Sequence, residues 1–175
     1  MTATFQPIVL TGPPGAGKST VGGILAAQLG TAFTDTDAAV EAVAGKPVAD
    51  IFISDGEPEF RRLERDAVEA ALDGRAAGVI GLGGGAVMDP QTQARLAGRR
   101  VVYLETGFTE LAKRVGLDRA RPLLIGTSPR AQLKALLEQR LPVYEKLAWL
   151  TVSTDGRDPA GIAAEIAAAV AGAGR

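Results

Sequence analysis

The chain predicts an α/β protein built on an open parallel sheet, and three observations carry that prediction. Short apolar runs rich in β-branched residues recur along it, segments with apolar residues three and four apart lie between them, and a glycine-rich loop joins the first run to the first such segment. Strands that alternate with helices are joined by right-handed crossovers. The sheet is then parallel, helices cover both its faces, and ligands bind beyond the carboxyl ends of the strands.

Strands are expected at Ile8 to Thr11, Val79 to Leu82, Val101 to Leu104 and Leu150 to Val152, with a weaker candidate at Ala32 to Thr34. Helical spacing covers Gly17 to Leu29, Glu59 to Leu72, Pro90 to Leu96, Thr109 to Val115, Pro129 to Leu147 and Pro159 to Val170, and several of these segments have proline at an early position, where its missing N–H costs nothing. In the Ala-rich tail, Ile162, Ile166 and Val170 repeat every four residues and mark a closing helix packed on the sheet. Two segments exceed a minimal alternation, Asp37 to Phe60 and Gly116 to Thr127, and both read as flaps over a site.

With 175 residues, 46% apolar and 22% charged, the chain has the balance of one globular domain spanning residues 1–175. A formal net charge of -1 gives no general attraction to nucleic acid or to an anionic membrane. There is no histidine and no cysteine, which removes disulfides, thiol nucleophiles, Cys/His zinc sites and histidine-assisted serine chemistry together. Catalysis is left to Asp, Glu, Lys, Arg, hydroxyls and backbone. Met1 to Leu10 does not read as a signal peptide and no segment is long enough to span a bilayer, so a cytoplasmic protein is expected.

Gly12-Pro13-Pro14-Gly15-Ala16-Gly17-Lys18-Ser19 matches the Walker A pattern between a strand and a helix. Small residues let the backbone curl until successive N–H groups and the helix N-terminus point at one anion, and a side chain at Gly15 or Gly17 would obstruct it. Lys18 can follow the β- and γ-phosphates of a nucleotide, and the Ser19 hydroxyl suits the shell of Mg²⁺. A plain Gly/Pro turn would not need Lys then Ser at this offset, and a cation in the first helical turn is unfavourable without an anion to face.

Asp35 and Asp37 flank Thr36 just after the second strand, so extended backbone would send both carboxylates to one side, one toward Mg²⁺ and the other toward an acceptor hydroxyl. The competing reading is that Asp37 caps a helix over Ala38 to Val43. Gly83-Gly84-Gly85 places three residues without side chains at another strand end, either as a tight turn or as a surface that a ligand can approach closely. Arg140 interrupts a stripe formed by Leu133, Leu137, Leu141 and Tyr144, and a guanidinium there needs an anion. Arg61 can pair with Glu57 or Glu64 by helical spacing; if it instead meets Arg140 in one pocket, the two form a planar, bidentate receptor for a substrate carboxylate. Residues 116–124, with Arg119, Arg121 and Pro122, read as a lid whose arginines enclose transferring phosphate.

Taken in order and spacing, GPPGAGKS, Asp35 and Asp37, Phe60-Arg61-Arg62, Gly83 to Gly85, Arg121-Pro122-Leu123-Leu124 and Arg140 followed by Tyr144 resemble the shikimate kinase family over nearly the whole chain. The resemblance implies a three-layer αβα fold, a five-stranded parallel sheet in the order 2-3-1-4-5, an acceptor-binding insertion near residues 37–62 and a lid near 116–127. It also implies transfer of the ATP γ-phosphate to the 3-hydroxyl of shikimate, a step of chorismate and aromatic amino acid biosynthesis, by a monomer that uses Mg²⁺.

Carried over by position, the resemblance makes Lys18, Asp37 and Arg121 catalytic and gives the acceptor to Asp37, Arg61, Gly83, Gly84, Gly85 and Arg140. Gly12, Gly15, Ala16, Gly17, Lys18, Ser19, Thr20 and Arg121 would hold nucleotide, Arg114 and Pro159 would clamp its adenine, and Ser19 with Asp35 would organise Mg²⁺. The strand at Val79 to Leu82 lacks a Walker B carboxylate, a departure from the broad NTPase pattern that this family shares. Two other functions remain to be separated from this one. A P-loop kinase for another acceptor, such as gluconate or a nucleoside monophosphate, would differ in its acceptor preference. A nucleotide-dependent switch would bind partners without acceptor-dependent turnover.

Overall fold

The computed structural model describes residues 6–74, 77–117 and 128–174. Its centre is a five-stranded sheet in the order β2-β3-β1-β4-β5, formed by Ile8–Thr11, Ala32–Asp35, Ala77–Gly81, Arg100–Glu105 and Leu150–Ser153 for β1 to β5. Every pairing is parallel, with Ile8 against Val79 of β3 and Arg100 of β4, and Val102 against Leu150 of β5. All five expected strands are present, and the weakest candidate, β2, lies at an edge where none of its residues is fully buried.

The helices are α1 Lys18–Leu29, α2 Thr36–Ala44, α3 Val48–Ser54, α4 Glu57–Asp73, α5 Pro90–Leu96, α6 Phe108–Arg114, α7 Pro129–Leu147 and α8 Pro159–Gly172, with a 3-10 turn at Ala86–Met88. Alternation along β1 divides the core in two. Ile8 and Leu10 point into one cluster with Val21 and Leu25 of α1 and Ile162, Ile166 and Val170 of α8. Val9 points the other way, into a cluster with Val68 and Leu72 of α4, Leu96 of α5 and Tyr144 of α7. Burial on both faces is what lets the strands be continuous apolar runs.

Two expectations change. Residues 37–60 form helices where flaps were expected: α2 and α3, with the start of α4, surround a third small cluster of Val40, Ile51 and Phe60. The apolar stripe expected along α7 is not a core face throughout. Leu141 is 38% exposed, whereas Tyr144 is buried; only the end of the helix, with Val143, Tyr144 and Leu147, joins the core. Pro142 lies within α7 and supplies no N–H to its ladder. Most of the expected lid, residues 118–127 with Arg119 and Arg121, lies outside the described residues.

Candidate active site

The phosphate loop leaves β1 at Thr11 and enters α1 at Lys18, with Gly17 as the N-cap in the left-handed region at φ 94°. A side chain at Gly12, where φ is 149°, would stand 2.8 Å from the Leu104 carbonyl oxygen, so the loop can lie this close to β4 only with glycine there. Lys18 folds back along the loop, its Nζ donating to the carbonyls of Gly12 at 2.8 Å and Pro13 at 2.9 Å. These bonds hold the ammonium at the mouth of the nest. Thr20, next to Ser19 in the first turn of α1, is exposed at the same end of the helix.

Asp35 and Asp37 do not share one extended strand, as the spacing had implied. Helix α2 starts at Thr36, and Asp35 is its N-cap, with Oδ1 accepting from the N–H groups of Asp37 at 2.9 Å and Ala38 at 3.2 Å. The capping role weighed for Asp37 therefore belongs to Asp35, a contact worth about 1 kcal/mol. The other oxygen of Asp35 accepts from Ser19 Oγ at 2.6 Å. Asp37, freed from capping, sits in the first helical turn beside Lys18, and burial, then the neighbouring Asp35, push its carboxyl above the ordinary range.

Gly83 to Gly85 form the floor between these groups and the arginines. A Cβ on Gly83 would lie 2.5 Å from Asp37 Oδ1 and 2.9 Å from Glu64 Oε1. One on Gly84 would lie 2.9 Å from Pro14 Cδ and 3.2 Å from Arg140 Nη1, and one on Gly85 would lie 2.8 Å from Arg61 Nη1 and 3.0 Å from Arg140 Nη2. None of the three has a positive φ, so it is space, and not a special dihedral, that requires glycine. The guanidiniums of Arg61 and Arg140 thus meet over Gly85, and with Arg65 and Gln139 they line a cavity of about 500 Å³. A second cavity, of about 290 Å³, is lined by the phosphate loop, Asp35 and Asp37.

Arg61 also makes the helical ion pairs its spacing allowed, to Glu64 at 2.7 Å and Glu57 at 3.4 Å. Its partner Glu64 is buried, and burial pushes that carboxyl upward while Arg61 pulls it down. The sequence offered Glu64 only as one of two helical partners for Arg61. Its three-residue step from Arg61 was visible, but its burial beside Gly83 and Asp37 was not. Thr36 was missed altogether: its buried hydroxyl accepts from Gly83 N at 3.0 Å, and nothing in an Asp-Thr-Asp triplet marks the middle residue.

Arg114 binds protein oxygens: Glu110 at 3.0 Å, Thr154 O at 3.1 Å and Oγ1 at 3.2 Å, and, more weakly, the loop carbonyls of Gly15 and Ala16 at 3.4 Å. It ties α6 to the phosphate loop. Any contact with a nucleobase would use the flat face of the guanidinium, since its edges are engaged. Pro159 is the first residue of α8.

The pKa of Lys18 is brought down to about 8 by burial, against the upward pull of Asp37 and Asp35. A bound polyphosphate restores the charged form and raises that pKa, so binding takes up a proton between the two values. With ADP in metal-free buffer, affinity is expected to hold steady to about pH 8 and then fall toward tenfold per pH unit. Calorimetry in buffers of different ionisation enthalpy measures the proton uptake directly. Affinity independent of pH from 7.5 to 9.5 would contradict this account of Lys18.

A parallel five-stranded sheet with a phosphate loop at the carboxyl end of β1, opposite a carboxylate and two arginines, defines a P-loop phosphotransferase for a small anionic acceptor. The shikimate kinase family matches residues 14–171. The chain is 58% identical over 166 residues to a shikimate kinase of Thermobifida fusca, with 95% of each chain covered, and 55% identical over 163 residues to one of Salinispora arenicola, covering 93% and 96%. Among solved structures it resembles a shikimate kinase from Acinetobacter baumannii in complex with shikimate, with a TM-score of 0.87 at 35% identity over 97% and 94% of the two chains. A gluconokinase from Sinorhizobium meliloti gives a TM-score of 0.57 at 21% identity over 95% and 93%, a likeness of fold alone. The chain belongs to the shikimate kinase family.

Proposed function

We propose that this protein transfers the terminal phosphoryl group of ATP to the 3-hydroxyl of shikimate, giving shikimate 3-phosphate and ADP in the route to chorismate and the aromatic amino acids. The observation that carries this reading is the meeting of Arg61 and Arg140 over Gly85, with Asp37 over Gly83 at the other end of the same floor. A hydroxylated ring with one carboxylate fits that polarity: its acid lies on the paired guanidiniums and a hydroxyl reaches Asp37. A nucleoside monophosphate or gluconate offers a different spacing of acid and hydroxyl.

Asp37 accepts the hydrogen bond of the attacking hydroxyl and takes up its proton as the new O–P bond forms and the bond from the γ-phosphorus to the bridging oxygen breaks. A carboxyl whose pKa is raised by burial and by Asp35 is a better proton acceptor than an exposed one. Lys18 leaves the loop carbonyls for the phosphates, and its charge, with that of Arg121 from a lid near residues 116–127, stabilises the oxygens of the transferring group. Gly12, Gly15, Ala16 and Gly17 present backbone to the phosphates, Thr20 flanks them, and Arg114 and Pro159 take the adenine.

Among the described residues no cluster of three acidic side chains could hold a metal without help. The Ser19 hydroxyl and the Asp35 carboxylate oxygen, 2.6 Å apart, are the hard donor pair that suits Mg²⁺ carried in by a nucleotide. Bound there, the ion would neutralise phosphate charge. Lys18, Asp37, Arg61 and Arg140 all come from one chain, so the reading needs only a monomer. We place it in the cytoplasm with the ATP supply; no helix among the described residues is long and apolar enough to cross a membrane.

An ADP-release assay with shikimate, gluconate, nucleoside monophosphates and water as acceptors tests this. Shikimate is expected to raise turnover at least about 10³-fold over water, the other acceptors by far less. Equal ADP release with and without shikimate would remove the proposal.

A further inference from the structure

Phosphoryl transfer needs the acceptor and the phosphate cradle in register to a fraction of an ångström, yet here they rest on different parts of the chain. The acceptor floor is three glycines with no side chains of their own to anchor it. Gly83 is held from one side by Thr36. From the other side, Tyr144 Oη donates to the Gly84 carbonyl at 2.6 Å.

Tyr144 is 1% exposed, and its ring stacks on Tyr103 at 5.2 Å with 17° between planes, so the hydroxyl is delivered from a rigid mount. Arg140, one helical turn earlier, reaches the same glycine: its Nη1 stands 3.2 Å from where a Cβ on Gly84 would lie. Between the two stands Pro142, which leaves α7 short of one rung just where Arg140 must be positioned. Pro14 of the phosphate loop lies against the same side of Gly84 as Arg140.

We propose that Tyr144 is a positioning residue for the transfer: its hydroxyl fixes the glycine backbone under the acceptor, against which both the Arg140 guanidinium that grips the acceptor's acid and Pro14 of the phosphate loop are packed. Without the hydroxyl, the Gly84 carbonyl loses its donor and the loop is free to shift by the small distances that weaken a bidentate grip. The inference rests on the proposed function for the acceptor's identity.

Tyr144→Phe keeps the ring and its stacking, and Tyr103→Phe removes the matching atom from the other ring of the pair. In the intact protein, Tyr144→Phe is expected to raise the KM for shikimate about fivefold to twentyfold with the KM for ATP within about twofold, while Tyr103→Phe leaves both within about twofold. Hydrogen exchange without ligands gives a second readout: the amides of residues 83–88 exchange faster in Tyr144→Phe, and those of β1 remain protected. An unchanged KM for shikimate, parallel rises in both KM values, equal effects of the two variants, or unchanged exchange at residues 83–88 would each overturn the proposal. Unsubstituted protein that does not phosphorylate shikimate would instead remove the proposed function and this inference with it.

Discussion

Asp37→Asn is expected to lower kcat by about 10²- to 10⁴-fold and to leave the melting temperature at pH 7 no lower than that of the unsubstituted protein. The two halves of this result have one cause. Burial and the adjacent Asp35 raise the Asp37 pKa, so folding favours the protonated form and the ionised carboxylate destabilises the native state at neutral pH. That destabilisation is relieved as pH falls through the raised pKa, and the isosteric amide removes it at every pH. A favourable charge in the first turn of α2 is lost at the same time, worth about 0.3–1 kcal/mol, so the net change in stability is small. Turnover falls for a different reason: the amide cannot take the hydroxyl proton. Steady-state kinetics with thermal melting separate the two effects, and full kcat in this variant would exclude the role given to Asp37.

Lys18→Ala is expected to lower kcat/KM by about 10³-fold or more, equivalent to about 4 kcal/mol of transition-state stabilisation. A phosphoryl group in flight spreads its charge over equatorial oxygens, and a dry, fixed ammonium beside them acts with less screening than it would in water. The fold should survive. Lys18 is only partly buried, and its side chain bonds to two loop carbonyls, while the core around α1 is made by Val21, Leu25 and Ala26. Retained secondary structure by circular dichroism together with lost turnover checks both parts. Near-normal turnover would mean that the Lys18 ammonium does not carry the phosphate charge in the transition state.

The parallel sheet, the place of the phosphate loop and most helices were legible in the sequence because each is encoded over a few neighbouring residues. Ile8 to Leu10 followed by Gly12 to Ser19 can be read without any distant contact. Helices α2 and α3 were not legible as a pair. They are 9 and 7 residues long, too short to be stable alone, and they stand because Val40, Ile51 and Phe60 pack together across them. Asp35 and Asp37 were singled out, but which of them capped the helix depended on where α2 began, a boundary that local pattern places only loosely. Glu64 and Thr36 looked ordinary because burial is a property of what surrounds a residue.

Local chemistry along the chain thus determined that a phosphate nest opens at the end of a first strand, that no histidine or cysteine takes part, and which carboxylates and arginines were available to the site. Only the tertiary structure decided that Arg61 and Arg140, 79 positions apart in sequence, meet over one glycine, and that Tyr144 and Thr36 hold that glycine's loop from either side. The reason is one of range. Turn chemistry and helical periodicity act over a few residues, whereas a pocket exists only once the packing of sheet and helices brings distant side chains within hydrogen-bond reach.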